Sequence, residues 1–165
     1  MNVHLLAAAA VAVFVGASVI APNPSSAQHS APGHLPGHTM VTPDELKWAD
    51  IPSLPPGAKI AVIEGPMNQA VPFTARLRLP ANYRIPPHRH PAIEHLTVLS
   101  GTFHMGVGES FDPSRTTALT VGSMAIMQTG IPHFAWTKDE TLLQLHGVGP
   151  WGIEYLNPAD DPRKR

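Results

Sequence analysis

Apolar and polar residues alternate with a period of two through much of the chain from Lys59 onward. In "VPFTARLRL", Phe73, Ala75, Leu77 and Leu79 fall on one side and Thr74, Arg76 and Arg78 on the other. That is the pattern of a strand with one face on a core. Short runs of the same character occur at "KIAVIE", "EHLTVL", "TFHMGV", "SMAIM", "HFAWT", "LLQLHGV" and "WGIEYL", most of them bounded by Gly, Pro, Asn or Asp. Many short strands joined by tight turns predict an all-β sandwich or closed barrel. One segment departs from this rhythm. In "TPDELKWAD", Thr42 stands at a cap position, Pro43 in the first turn and Glu45 where a capping box needs it. This predicts one short helix that buries Trp48 against the next element of the chain.

The N-terminal part carries no such alternation. Leu5 to Ala21 is an uncharged apolar run, followed by the small residues Ser25, Ser26 and Ala27. This reads as a secretory signal peptide over residues 1–27, cleaved after Ala27 to leave a periplasmic or secreted protein with no membrane attachment. Residues 28–42 are rich in Pro, Gly and Ser and read as a flexible leader that carries His29, His34 and His38. A single domain is expected over residues 43–160, with a polar tail at 161–165.

Composition narrows the functional classes. The 165 residues suit one domain, and a net charge of −1 offers no attraction to nucleic acid or acidic lipid. The chain has no cysteine, which excludes a disulfide or a thiol-linked lipid anchor and leaves the domain to rely on its core. No nucleotide-binding, flavin or nucleophile-elbow motif is present. Ten histidines are many for this length, and they call for an explanation.

Part of that explanation lies in "PPHRHPAIEHLTVLSG". Residues two apart on a strand face the same way, so His88 and His90 project together, and Glu94 returns on the next strand after a turn at Pro91 and Ala92. Two imidazoles and a carboxylate in one interior are costly unless something satisfies them, and a divalent cation does so directly. His133, in "GIPHFAW", offers a further nitrogen downstream. His95 has the opposite parity to Glu94 and is expected to face away. Three nitrogens and one oxygen leave about two positions of an octahedron open.

These residues also carry a family resemblance. His88-x-His90, Glu94 after three residues and Gly101 after six more resemble the first motif of the cupins. Gly122, Gly130 after seven residues and His133 after two resemble the second. The resemblance spans roughly residues 59–155. Asn82, Gln128 and Thr137 stand where the motifs usually have Gly, Pro and Asn. Asn82 is a mild departure, because Asn tolerates the positive φ that Gly usually supplies. The resemblance implies a small antiparallel β-barrel of jelly-roll type, a double-stranded β-helix. It implies one divalent transition metal (Fe, Mn, Zn, Ni or Cu) held by His88, His90, Glu94 and His133, a small-molecule ligand and a homodimer. "LPPGAKI" through the first motif also resembles the cupin module attached to bacterial anti-sigma factors.

Other polar side chains compete for the cavity. Gln144 and His146 share one parity in "LLQLHGV" and Leu143 and Leu145 the other, so one pair or the other faces inward. Arg84 precedes the metal strand, where it could orient an anionic substrate. Three functions fit this inventory: a metal-dependent oxidoreductase of dioxygenase type, a redox-neutral lyase, isomerase or hydrolase, and a non-catalytic metal or small-ligand sensor. Cupins host all of these chemistries, and fold alone does not choose among them.

Overall fold

The computed structural model describes residues 37–164. Residues 1–36, with the expected signal peptide and with His29 and His34, lie outside the described residues. Met40 to Arg165 form one compact unit. Its strands are β1 (Ala49–Asp50), β2 (Lys59–Glu64), β3 (Pro72–Leu79), β4 (Arg84–Arg89), β5 (Glu94–Ser100), β6 (Phe103–Val107), β7 (Thr117–Leu119), β8 (Met124–Met127), β9 (His133–Thr137), β10 (Thr141–Val148) and β11 (Glu154–Tyr155). They pair into a six-stranded sheet, β1-β2-β3-β10-β5-β8, and a five-stranded sheet, β11-β4-β9-β6-β7. All pairings are antiparallel. The all-β jelly-roll expectation holds, as two facing sheets rather than one continuously hydrogen-bonded barrel.

Alternation decides which side chains fill the space between the sheets. Leu143 and Leu145 of β10 lie opposite Leu77 and Ala75 of β3 on one side, and opposite Val98 and Leu96 of β5 on the other. These rows are buried and meet Ile85, Phe103 and Ala135 of the second sheet. Choosing the leucines for the inside puts Gln144 and His146 on the outer face. His146 there stacks on His95, its cross-strand neighbour, with ring centroids 4.8 Å apart. Burying leucine rather than an amide and an imidazole is the cheaper choice, since a polar group costs free energy in a largely apolar interior.

Two expectations about the ends and turns need correction. The predicted helix is a single 3₁₀ turn, Pro43–Glu45. The Glu45 carboxylate does reach back to the Thr42 backbone N–H at 2.7 Å, but the chain turns extended at Leu46 to pair β1 with β2. A helix this short does not recover its nucleation cost, whereas β1 finds hydrogen bonds on a ready edge. Trp48 ends half-buried under the Arg78 guanidinium, 4.3 Å from the ring centre. "WGIEYL" supplies only the two-residue β11. Within the polar segment that follows, Arg163 donates from Nε to buried Asp161 at 2.7 Å and from Nη2 to the Ile153 carbonyl at 3.1 Å.

Two turn positions follow from backbone conformation. Asn82 has φ of 57°, the left-handed conformation expected for the residue in that place. Gly101, between β5 and β6, has φ of 76°, and a Cβ there would lie 2.5 Å from the Glu140 carbonyl oxygen. Gly101→Ala therefore meets both strain and a backbone clash. It is expected to lower unfolding free energy by about 1–3 kcal/mol in a denaturant titration, the range for a strained backbone position.

Candidate metal centre

An irregular stretch of β4 aims the first two histidines. Ile85 and His88 both face the interior although they are three apart, because the β4–β9 register shifts between them at Pro86 and Pro87. Proline removes ladder donors, so a bulge is its natural place in a strand. The bulge reverses the parity upstream. Arg84 shares the parity of His88 in sequence, yet it is exposed on the outer face. There its guanidinium lies 3.7 Å from the Phe111 ring centre, beside an outer groove that also contains Glu109 and Asp160. Arg84 is thus not part of the metal cavity. Neither are Gln144 and His146, which the packing of Leu143 and Leu145 turns outward. His95 faces away, as its parity predicts, and His104 stacks on Trp136 on an outer face.

His88, His90 and His133 come together. His88 on β4 and His133 on β9 are direct cross-strand partners. Their ring centroids are 4.2 Å apart, and His90 lies 5.0 Å from each. All three are buried. One ligand atom from each lies within 4.8 Å of the others, a spacing that could hold a metal ion. The tautomers suit this. Each Nδ1 faces a backbone carbonyl: His88 that of Pro86 at 2.7 Å, His90 that of Gly152 at 2.7 Å and His133 that of Ile131 at 3.0 Å. A carbonyl only accepts, so each Nδ1 carries the proton and each Nε2 keeps a free lone pair, the form a metal ligand requires.

Glu94 opens β5 and is buried beside the cluster, its Oε2 3.4 Å from His90 Nε2. It stands at the edge of the histidine group rather than within it, and its Oε2 accepts a 2.5 Å hydrogen bond from the Trp151 indole N–H. Trp151 is the residue that sequence reasoning missed. Its place in "GVGPWG", a loop between β10 and β11, showed no period that would aim it inward. The cavity is small, about 40 Å³, and largely apolar, with Leu77, Ile85, Phe103 and Met127 among its walls.

Burial governs the protonation of these groups. Desolvation lowers all three imidazoles below their usual 6.5, His90 to about 4, with neighbouring imidazoles adding to the effect at His88 and His90. Desolvation pushes the Glu94 carboxyl up from 4.5 to about 8, against the Trp151 hydrogen bond. In the absence of a cation, His90 and Glu94 are therefore a neutral contact rather than an ion pair. The signs oppose each other. The histidines withdraw stability from the metal-free fold as pH falls from 6.5 through about 4, because the unfolded chain binds their protons more readily. Glu94 stabilises the fold below 4.5 in its protonated form, and this contribution is lost as pH rises through about 8. A cation that takes Glu94 as carboxylate must displace its proton throughout that window. The extra thermal stability conferred by Zn²⁺ is thus expected to grow steadily from pH 5 to 8, which paired melts with and without metal would measure.

Comparison with known proteins agrees with this architecture. The family model for the ChrR cupin-like domain matches residues 36–113, a span that includes His88, His90 and Glu94 and stops before His133. No curated protein matches the chain in sequence. Among solved structures, the polyketide cyclase RemF from Streptomyces resistomycificus superposes with a TM-score of 0.64 at 16% identity, over 77% of this chain and 91% of its own. An RmlC-like cupin from Shewanella frigidimarina gives 0.54 at 16% identity, over 66% and 88%. A salicylate 1,2-dioxygenase from Pseudaminobacter salicylatoxidans gives 0.51 at 14% identity, over 62% of this chain and 31% of its own. At such identities the likeness is one of fold. With both motifs meeting in one cavity of a jelly roll, the chain has the fold of the cupins, and over residues 36–113 it is similar to the ChrR cupin-like domain.

Proposed function

We propose that the protein is an exported cupin that holds one divalent transition metal through His88, His90, Glu94 and His133 and turns over a small molecule in a reaction of dioxygenase type. The observation that carries the reading is the convergence of three buried Nε2 lone pairs, each secured by a carbonyl behind its ring. Three nitrogens and a carboxylate suit Fe, Mn, Zn, Ni or Cu. When bound, the metal supplies a Lewis acid with open positions, and redox chemistry if it is Fe, Mn or Cu. The chain's own part is positional. The sheets hold the imidazoles apart at a fixed spacing, the carbonyls fix their tautomers, and the apolar walls keep bulk water out. A cavity of about 40 Å³ has room for about three waters at roughly 10–15 Å³ each, which suits dioxygen and the reacting end of a substrate.

The match to the ChrR cupin-like domain favours a second reading, a metal or small-ligand sensor without turnover. Metal analysis of protein purified from its own compartment, followed by oxygen uptake on a panel of phenolic, enolic and thiol compounds, separates the two. A bound redox metal with substrate-dependent uptake supports the dioxygenase. A full metal load with no turnover supports the sensor.

Export and assembly belong to the same proposal. The apolar run ending at Ala27 supports cleavage there and a periplasmic or secreted protein. N-terminal sequencing of the exported protein should begin at Gln28, and an intact Met1 would overturn it. A homodimer is supported by the edge strand β8, whose outward Met124 and Ile126 are 49% and 54% exposed. Sedimentation at the mass of one chain across a concentration series would contradict it.

A further inference from the structure

We propose that Trp151 is a positioning residue for the carboxylate of the metal site, fixing Glu94 Oε2 beside His90 so that it can serve as a ligand. The proposal rests on the metal reading above. Glu94 is buried, its Oε2 accepts a hydrogen bond from the indole N–H at 2.5 Å, and the same oxygen lies 3.4 Å from His90 Nε2. Once a cation takes Glu94 as carboxylate, a hydrogen bond to that charged acceptor in an apolar cavity is strong and directional. A carboxylate without it would be free to rotate about χ3 and would lose its fixed approach to the histidine nitrogens.

Trp151 is itself held on several sides, which is what a positioning group requires. Its backbone N–H donates to the Met67 carbonyl at 2.7 Å. Its ring stacks on His90 at 5.0 Å with planes 24° apart, and lies 6.1 Å from the Phe73 ring. Upstream, the Gly149 N–H donates to the Val71 carbonyl at 3.0 Å, and a Cβ at Gly149 would collide with the Gln69 carbonyl oxygen. Only glycine lets the segment lie this close to the β2–β3 loop. Downstream, the Gly152 carbonyl accepts the Nδ1 proton of His90. One short segment, 149–153, thereby orients two of the four proposed ligands, which lie on or beside different strands.

Trp151→Phe tests this, since it keeps an aromatic ring against His90 and deletes the N–H. Affinity for Co²⁺ would be measured by competition with a chromophoric chelator, and the visible spectrum of the Co²⁺-loaded protein recorded. Both would be done in the wild-type and the Glu94→Ala backgrounds. The expected result is a loss of affinity of about 10–100-fold, the usual cost of removing a ligand's supporting hydrogen bond, with a changed Co²⁺ spectrum. In the Glu94→Ala background the same substitution should change affinity by less than about 2-fold, because the group it positions is gone. No loss in Trp151→Phe, or an equal loss in both backgrounds, would overturn the proposal and leave Trp151 a packing residue. Wild-type protein that takes up no Co²⁺ would sink the metal reading and this proposal with it.

Discussion

Replacing His88, His90 or His133 with Ala is expected to strip the protein of its metal. Each change removes an Nε2 that two strands and a backbone carbonyl aim at one point, and leaves two nitrogens where three converged within 4.8 Å. Loss of a supporting partner alone costs roughly 10–100-fold in metal affinity, so loss of a ligand should exceed that in each case. Glu94→Gln should cost less than any histidine, because Glu94 sits at the edge of the cluster and Trp151 shares its oxygen. His95→Ala, Gln144→Ala and His146→Ala should leave the affinity unchanged, since all three lie on the outer face of the larger sheet. Metal content after dialysis, with a chelator titration on each variant, checks the set. A His88→Ala/His90→Ala double variant that kept stoichiometric metal with residues 28–42 deleted would end the assignment.

Phe73→Ala should cost the fold more stability than Gly101→Ala. Phe73 is 1% exposed, lies in the main core cluster and packs against Trp151. Emptying a buried phenylalanine site costs about 3–5 kcal/mol, the spread reflecting how far neighbours collapse into the cavity. Little collapse is available here, because Phe73 lies beside Gly147 on the hydrogen-bonded β3–β10 pair. Guanidinium unfolding of the metal-free protein would measure it. A loss below about 1 kcal/mol would show that the Gly149–Ile153 segment closes over the gap.

Most of the strand inventory was legible in the sequence, because a half-buried strand writes its period directly into the order of residues. β2 spans "KIAVIE" as predicted and β3 alternates as read, with Phe73, Ala75, Leu77 and Leu79 inward. β1 and β7 were not foreseen. They are two and three residues long and owe their pairing to an adjacent edge, not to a pattern of their own. The helix read at Pro43 failed for the complementary reason. Its capping signal is real and local, but a neighbouring strand offered its C-terminal half better hydrogen bonds.

The chemistry divides along the same line. The order of residues alone determined that His88 and His90 share a face, that Glu94 opens the following strand, that His95 points away, and that Asn82 can take a positive φ. Each depends on one strand's geometry or one residue's steric freedom. Tertiary structure decided the rest. It set the bulge at Pro86 and Pro87 that sends Arg84 outside while His88 stays in. It made Leu143 and Leu145, not Gln144 and His146, face the second sheet. It also brought Trp151 and Gly152, more than fifty residues downstream, onto Glu94 and His90. Parity is a property of one strand and survives only until a bulge. Which of two possible faces is buried, and which loop covers a site, depends on the other elements that arrive to pack there.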